Sequence, residues 1–151
     1  MPAGTFSVGA YVALAQTSTA AIRQALVHHL RLSAALKAAI TGGIHDGFAP
    51  AKADYPFLTY DMVYSPIRRQ WGSQQYISGF DIRVFSDDSV VASNIDALVL
   101  TVLNDAPLVV AGQSTLLCHR IADLEGPDVD NEGRKVYVVG GTYEVWTDQP
   151  D

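Results

Sequence analysis

The sequence has few of the residues that mark secreted, membrane-spanning or strongly charged proteins. It contains one cysteine, Cys118, so no disulfide can form within the chain, as is typical of proteins from reducing compartments. Charged residues make up 17% of the chain, against a usual share of roughly 25%. The weakly apolar segment 6–15 lacks a basic start and is too short to span a bilayer, so we expect no signal peptide. At 151 residues the chain can bury a core without a disulfide or a metal ion, and we expect one domain.

Motifs that bind nucleotides or carry out catalysis are also missing. There is no glycine-rich phosphate loop, nucleophile elbow or dinucleotide fingerprint. Aromatic residues in the strands could stack on RNA bases, but the basic signature of an RNA-binding sheet is absent. Cys118 and His119 would alternate across a strand and cannot form a nucleophile–base dyad, so we expect Cys118 to be a buried structural residue. We predict that the protein is not an enzyme and uses no cofactor.

Two segments have partial metal-site patterns. Residues 128–133 resemble a calcium loop, but its twelfth position, which needs a bidentate carboxylate, is Val139. We interpret this segment as a solvated hairpin turn in which Asn131 and Gly133 supply unusual backbone angles. His28 and His29 are adjacent on a predicted helix and point about 100° apart, so they suit surface or half-buried positions better than a shared metal. We therefore expect no metal site.

Positive and negative charges are separated along the chain. Residues 1–80 carry six Lys/Arg and three Asp/Glu, whereas residues 81–151 carry four Lys/Arg and thirteen Asp/Glu, within a net charge of −6. Such a separation predicts two oppositely charged faces, which suit head-to-tail association. It argues against tight general nucleic-acid binding, which needs clustered basic residues to displace counterions.

The N-terminal half predicts helices followed by a strand. Residues 1–16 have no clear period and are interpreted as an N-terminal extension. A helix is predicted over about 19–30, and Ser33 can cap a further segment over about 33–40, although the two could equally be one helix. Gly42-Gly43 ends this region. Residues 57–63 alternate as a strand should, with one face formed by Leu58, Tyr60 and Met62.

Residues 76–104 form the centre of the predicted fold. Phe80, Ile82 and Val84 lie on one face of a strand, and residues 86–89 then supply oxygens that can cap a helix. The apolar stripe predicted for that helix consists of Val91, Ile95, Leu98 and Val102. A strand that leads directly into a helix makes a two-layer unit, and we expect the strand and helix faces to pack together.

Two further strands complete the prediction, at 115–121 and 136–146. In the second, Gly140-Gly141 indicates a bulge or a close backbone approach; one face consists of Tyr137, Val139, Tyr143 and Val145. The element order is α-β-β-α-β-β. We predict an α+β domain over 1–151, with a four-stranded, mainly antiparallel sheet and two main helices packed on it.

Two connections have the composition of an interaction surface. Residues 65–73, within a protruding loop over 65–75, are basic and aromatic; Arg and Trp are favoured at interface hot spots. The predicted contact residues of this arm are Arg68, Arg69 and Trp71. The second connection, 123–133, carries Asp123, Glu125, Asp128, Asp130 and Glu132. We predict that these groups meet between copies; the alternative is a solvated turn with Trp71 folded back onto the sheet.

An ordered set of segments resembles a known family. The set begins with the leading helix, the segment 33–40 and Ile-His-Asp at 44–46. It continues with Tyr-Pro-Phe-Leu-Thr at 55–59, the strand at 79–86 that leads into the amphipathic helix, His119-Arg120, and the hairpin at 128–134. In this order, over most of residues 20–147, the sequence resembles the tail-completion or tail-terminator proteins of long-tailed phages.

The resemblance implies a virion structural protein of the tail or neck, assembled in the host cytoplasm. Such proteins form a ring, commonly of six copies, that caps the tail tube and joins it to the head connector, and they have no enzymatic residues. The partners that the resemblance implies for this chain are its own copies, the major tail tube protein and a connector or neck protein. Genome DNA would pass through the lumen without tight binding, and no membrane is involved. The alternatives are a head-closure or neck protein, a small ligand-binding α+β domain, and an undetected enzyme.

Overall fold

Three helices and five strands form an α+β fold in the residues that the computed structural model describes, which are 20–68, 75–106, 108–110, 114–130 and 132–148. The helices are α1 (residues 20–32), α2 (Ala34–Ala39) and α3 (Ser89–Leu103). The strands are β1 (Ile44–Asp46), β2 (Phe57–Arg68), β3 (Gln75–Ser86), β4 (Ser114–Val129) and β5 (Lys135–Asp148). The predicted extension 1–16 lies outside the described residues.

The strands form one sheet in the order β1-β2-β3-β5-β4, in which only β1 runs parallel to its neighbour. The predicted α+β class is confirmed, but the sheet has one strand more than predicted and the described residues contain three helices. The added strand β1 has three residues, which is too short to show a period of two. It lies between Gly43 and Gly47, which adopt φ of +89° and +74° and confine the extended segment.

The predicted break at Ser33 separates α1 from α2. Ser33 has extended backbone angles, and its hydroxyl accepts a hydrogen bond of 3.2 Å from the Leu36 N–H. This bond satisfies an amide that the first helical turn leaves unpaired. Of the two possibilities for this region, two helices is correct.

The core lies between the helices and one face of the sheet. Phe80, Ile82 and Val84 are buried and belong to the same cluster as the inner face of α3, as predicted. That inner face consists of Ala92, Ile95, Val99 and Leu103.

The apolar stripe predicted for α3 is wrong in part. Ile95 is buried, but Val91 is 38% exposed, while Leu98 and Val102 are only partly buried against the core. Apolar residues occupy most positions of this helix, so several neighbouring stripes fit its sequence equally well. Packing against the sheet selects a stripe displaced by about one residue.

Close backbone approach, rather than a bulge, explains Gly140-Gly141. The register between β3 and β5 is continuous through both glycines. A Cβ at Gly140 would collide with the Ile82 carbonyl oxygen, and one at Gly141 would collide with the guanidinium of Arg120. The two glycines therefore leave space for a neighbouring strand and for a buried charged side chain.

Both hairpins are longer than predicted. β2 continues to Arg68, whose partner is Tyr76, so the prediction of a loop is wrong for 65–68; Arg69, Trp71 and the rest of 69–74 lie outside the described residues. Pro66 falls in the register shift between Tyr64 and Ile67, where a missing N–H is tolerated.

The acidic connection is also mostly strand. β4 continues to Val129, which pairs with Lys135, so the prediction of a loop is wrong for 123–129. At a sheet edge, charged side chains can stay in water while the backbone pairs on one side.

Candidate interaction surfaces

The middle of the sheet face opposite the helices carries polar side chains that pair with one another. Asp81 accepts hydrogen bonds from the Thr142 hydroxyl at 2.6 Å and from Arg83 at 3.0 Å. The Tyr64 hydroxyl donates to Glu144 at 2.5 Å. These contacts pair the polar groups of Asp81, Thr142 and Glu144 within the chain.

The two edges of the sheet are more open. β1 covers β2 only at Leu58–Tyr60, and in the described part of the chain no strand lies outside the remainder of β2 or outside β4. Val63 on β2 and Ile121 on β4 occupy register irregularities, and each is 48% exposed. Irregularities and charges at an edge discourage indiscriminate strand pairing.

A basic groove of about 440 Å³ lies beside α1 at the β1 edge. Arg23, Val27 and Arg31 follow one another at spacings of four and form one row on this helix. Arg23 is 3.7 Å from Asp46, and Tyr60 forms part of the floor. Arg31 is exposed and has no ion pair among the described residues. We call this surface the basic groove.

The opposite edge is acidic on the same side of the sheet. Asp123 lies opposite Gly141, and Glu125 lies opposite Val139, which packs against the core. Because side chains alternate along a strand, both carboxylates point to the helix-bearing side. Both residues are exposed, and we call this surface the acidic edge.

Arg120 ties the acidic edge to α3. Its Nη1 donates to both carboxylate oxygens of Asp96 at 2.9 and 3.0 Å, and the two side chains are only 11% and 13% exposed. Nη2 donates to the Gly140 carbonyl oxygen. Nε lies 2.8 Å from Asp123, at an angle that makes an ion pair rather than a hydrogen bond. Burial opposes the charge, but the hydrogen bond and charge of Asp96 raise the pKa of Arg120 overall, so it stays protonated.

The β4–β5 turn is held by contacts within the chain. Asp130 accepts hydrogen bonds from the Arg134 side chain and backbone at 2.9 and 2.8 Å, from the Glu132 N–H at 2.9 Å and from the Tyr55 hydroxyl at 3.1 Å. The Arg134 N–H is the largest cause of the lowered pKa of Asp130, with further lowering by the other donors. Gly133 has a φ of +77°, as predicted for this turn, while Asn131 lies outside the described residues. Asp130 is therefore committed to the turn and is a poor candidate for contact with a partner.

A second groove, also about 440 Å³, lies at this end of the sheet. Tyr55 stacks on Phe57 and Phe57 on Phe85, with ring centroids 5.5 and 4.8 Å apart. The wall beyond the rings is the loop 47–55, in which Phe48 is 92% exposed. The groove combines aromatic surface with polar groups that already have partners in the turn.

Cys118, His29 and Tyr143 are structural residues in this fold. Cys118 is buried, as predicted, and burial raises the pKa of its thiol to about 12, with the charge of Asp105 adding to the shift. His29 donates a hydrogen bond from Nε2 to the Val102 carbonyl at 3.0 Å, so it links α1 to α3. Burial raises the pKa of Tyr143 to about 12. The described ranges contain no cluster of three or more His, Cys, Asp or Glu arranged to hold a metal ion.

None of the helices in the described ranges is both long and apolar enough to cross a membrane.

The structure separates the two predicted contact groups along the strands. Arg68 pairs with Tyr76, which pairs with Thr147, whereas Asp128 pairs with Val136. The eleven steps from 136 to 147 along β5 amount to roughly 36 Å at about 3.3 Å per residue. The base of the arm and the acidic turn therefore lie at opposite ends of the sheet.

Neither the basic groove nor the Arg120–Asp96 pair was predicted from the sequence. The spacing of four between Arg23, Val27 and Arg31 was visible, but it is also common on solvated helix faces. No local pattern links Arg120 to Asp96, because the two are brought together only when β4 packs beneath α3.

Comparisons with known proteins agree with this fold. A family model described as tail completion protein gp17 matches residues 24–148. A chain in the virion of a native gene transfer agent (GTA) particle has a TM-score of 0.67 at 15% identity, covering 86% of this chain and 97% of that chain. Another solved chain has a TM-score of 0.52 at 18% identity, covering 89% of this chain and 97% of that one. The bacteriophage SPP1 gp17 protein has a TM-score of 0.48 at 19% identity, covering 88% and 91%. No curated protein sequence matches the chain.

Proposed function

The chain belongs to the family of the tail completion protein gp17, and from this premise we propose that it forms a closed ring of six copies that ends the tail tube and joins it to the head. As a member of this family it is a structural protein of the virion, which agrees with the prediction from sequence. The family is one of structural tail proteins and is not known for an enzymatic activity.

The observation that carries the proposal is the difference between the two sheet edges. A ring needs a heterologous contact, in which one patch of a subunit meets a different patch of the next. The basic groove lies at the β1 edge and the acidic edge lies at β4, so each copy presents both halves of such a contact. Opposite charges would steer the halves together and disfavour contacts between like edges.

The proposed partners follow from the position of such a ring. One face would contact the major tail tube protein and the other a connector or neck protein, while genome DNA would pass through the lumen. DNA must slide through the ring without tight binding, and the acidic C-terminal half supports a lumen that does not hold it.

The arm at the β2–β3 turn is proposed to reach a neighbour with Arg68, Arg69 and Trp71. Its base lies at the opposite end of the sheet from the acidic turn, which favours contact with a molecule stacked along the tail axis over a copy beside it in the ring. In such a stack, the arm would meet the end that carries the exposed residues Asp128 and Glu132 or an equivalent acidic surface. Replacing the three arm residues with Ala or Ser should leave a folded subunit that joins tails poorly; virions completed at the normal rate would show the arm to be a surface loop.

Light scattering coupled to size exclusion tests the ring directly. The purified chain, alone and mixed with purified tail tubes, should give particles of about six chain masses, and negative-stain images should show rings at tube ends. A monomer under both conditions would contradict the proposal. Rings that bind heads but never tubes would move the assignment to the neck.

A further inference from the structure

We infer that the basic groove beside α1 receives the acidic edge of the neighbouring copy, with Arg31 and Glu125 as opposed charges across the contact. This inference rests on the proposed ring and adds to it the lateral interface and its specificity. The occupant of the groove is a second copy of this chain, approached by its β4 edge.

The basic groove and the acidic edge lie at the same height along the strands. Tyr60, in the floor of the basic groove, pairs with Ile82, which pairs with Gly141, which pairs with Asp123. The neighbouring row runs from Leu58 through β3 and β5 to Glu125 in the same way. When copies stand side by side with their strand ends level, the acidic edge of one copy therefore faces the groove of the next.

The basic groove and the acidic edge also lie on the same side of the sheet. α1 packs on the helix-bearing side, where Ile22 and Leu26 belong to the same core cluster as Leu58. Asp123 and Glu125 point to that side as well, because they alternate in phase with the core-facing residues of β5. A lateral contact that continues the sheet keeps its two sides aligned, so the carboxylates arrive beside the row of α1 rather than beneath the sheet.

Among the described residues, opposite charges are left without ion pairs on the two surfaces. Arg31 and Glu125 are both exposed and have no ion pair within the described ranges. Arg23 is paired with Asp46, whereas Asp123 shares Arg120 with Asp96. The remaining basic and acidic groups thus complement each other between copies, and Val27 supplies an apolar contact between the two arginines.

Charge reversal tests the contact. Arg31→Glu and Glu125→Lys should each raise the concentration needed for half-assembly by about tenfold or more, because each places like charges opposite one another. Lys37→Glu and Asp87→Lys are matched controls, since they make the same changes in net charge at exposed sites outside both surfaces. Circular dichroism and urea midpoints establish that all four variants fold, and the two controls should assemble like the wild type.

Mixing the two reversed variants gives the decisive result. In an equal mixture, the altered groove of Arg31→Glu meets the altered edge of Glu125→Lys, while the unaltered groove and edge meet at the next contact. An even-numbered ring can alternate the two variants around its circumference, so the mixture should assemble although neither component does.

The outcomes separate this inference from the ring proposal. If the wild type forms rings and both reversals also form them at the wild-type concentration, the inference is overturned and the ring stands. If each reversal blocks assembly but the mixture stays unassembled, the two residues act at different contacts and the inference is again overturned. If the wild type forms no ring even with tail tubes, the proposed function fails, and this lateral contact fails with it.

Discussion

Removing the buried cation beneath α3 should destabilise the fold more than any surface substitution. Arg120→Met keeps the length of the side chain but leaves the Asp96 carboxylate, 13% exposed, without the partner that donates to both of its oxygens. Breaking a buried ion pair from one side costs about 3–5 kcal/mol. For a chain of this size, each kcal/mol corresponds to about 2–4 °C in midpoint, so a fall of roughly 6–20 °C is expected.

A double-mutant cycle separates the buried charge from lost packing. Asp96→Asn in the Arg120→Met background removes the unpaired carboxylate, so it should recover much of the loss even though it restores no ion pair. The control is Arg134→Met, because Arg134 pairs with Asp130 at the exposed turn and its side chain is 62% exposed. That change should lower the urea midpoint far less than Arg120→Met does, because solvent screens an exposed ion pair.

The assay is urea unfolding followed by circular dichroism, at a protein concentration where light scattering shows the same assembly state for every variant. This condition matters because association adds apparent stability by mass action. A loss below about 1 kcal/mol for Arg120→Met, or no recovery in the double variant, would show that Asp96 is solvated and that the pair does not hold β4 beneath α3.

Three further results are expected. Ile95→Ala, at a buried position, should cost about 2–5 kcal/mol, whereas Val91→Ala on the same helix should stay within about 0.5 kcal/mol; equal losses would mean that the helix face is wrong. Asp130→Asn should destabilise the chain at neutral pH. The difference in urea midpoint between the variant and the wild type should shrink below about pH 4, because a carboxyl group with a lowered native pKa loses its stabilising effect as pH falls through that native pKa. A difference in urea midpoint that does not depend on pH would contradict this. A mobility-shift assay at moderate salt should show no tight DNA complex, and submicromolar binding with a steep salt dependence would contradict the proposed lumen.

The sequence predicted elements best where local chemistry alone defines them. Ser33 caps α2 because its hydroxyl reaches an amide three residues ahead, a contact that needs nothing from the rest of the chain. The alternation of Phe80, Ile82 and Val84 likewise identified the core face of β3 without knowledge of its neighbours. Both are short-range signals, and both survive in the folded structure.

The errors occurred where distant parts of the chain decide the outcome. The acidic residues of β4 favour a solvated loop locally, but pairing with β5 holds them in a strand at the edge of the sheet. On α3, the nearly continuous apolar sequence permits several stripes, and only packing on the sheet selects Ala92 and Val99 over Val91. The candidate contact surfaces were harder still, because the basic groove combines α1 with Asp46 and Tyr60.

The topology explains how charge separation along the sequence becomes charge separation in space. The first half of the chain supplies α1, β1 and β2, which form one edge of the sheet, while β4 and β5 from the second half form the other. The strand order alone therefore places the basic N-terminal half of the chain at one edge of the sheet and the acidic C-terminal half at the other. If the strand order placed β4 beside β1, the two charges would neutralise each other within one subunit and leave nothing to direct its neighbours. Because β3 and β5 lie between them, the two edges of one subunit stay apart, and in the proposed ring each edge would meet the opposite edge of a neighbouring copy.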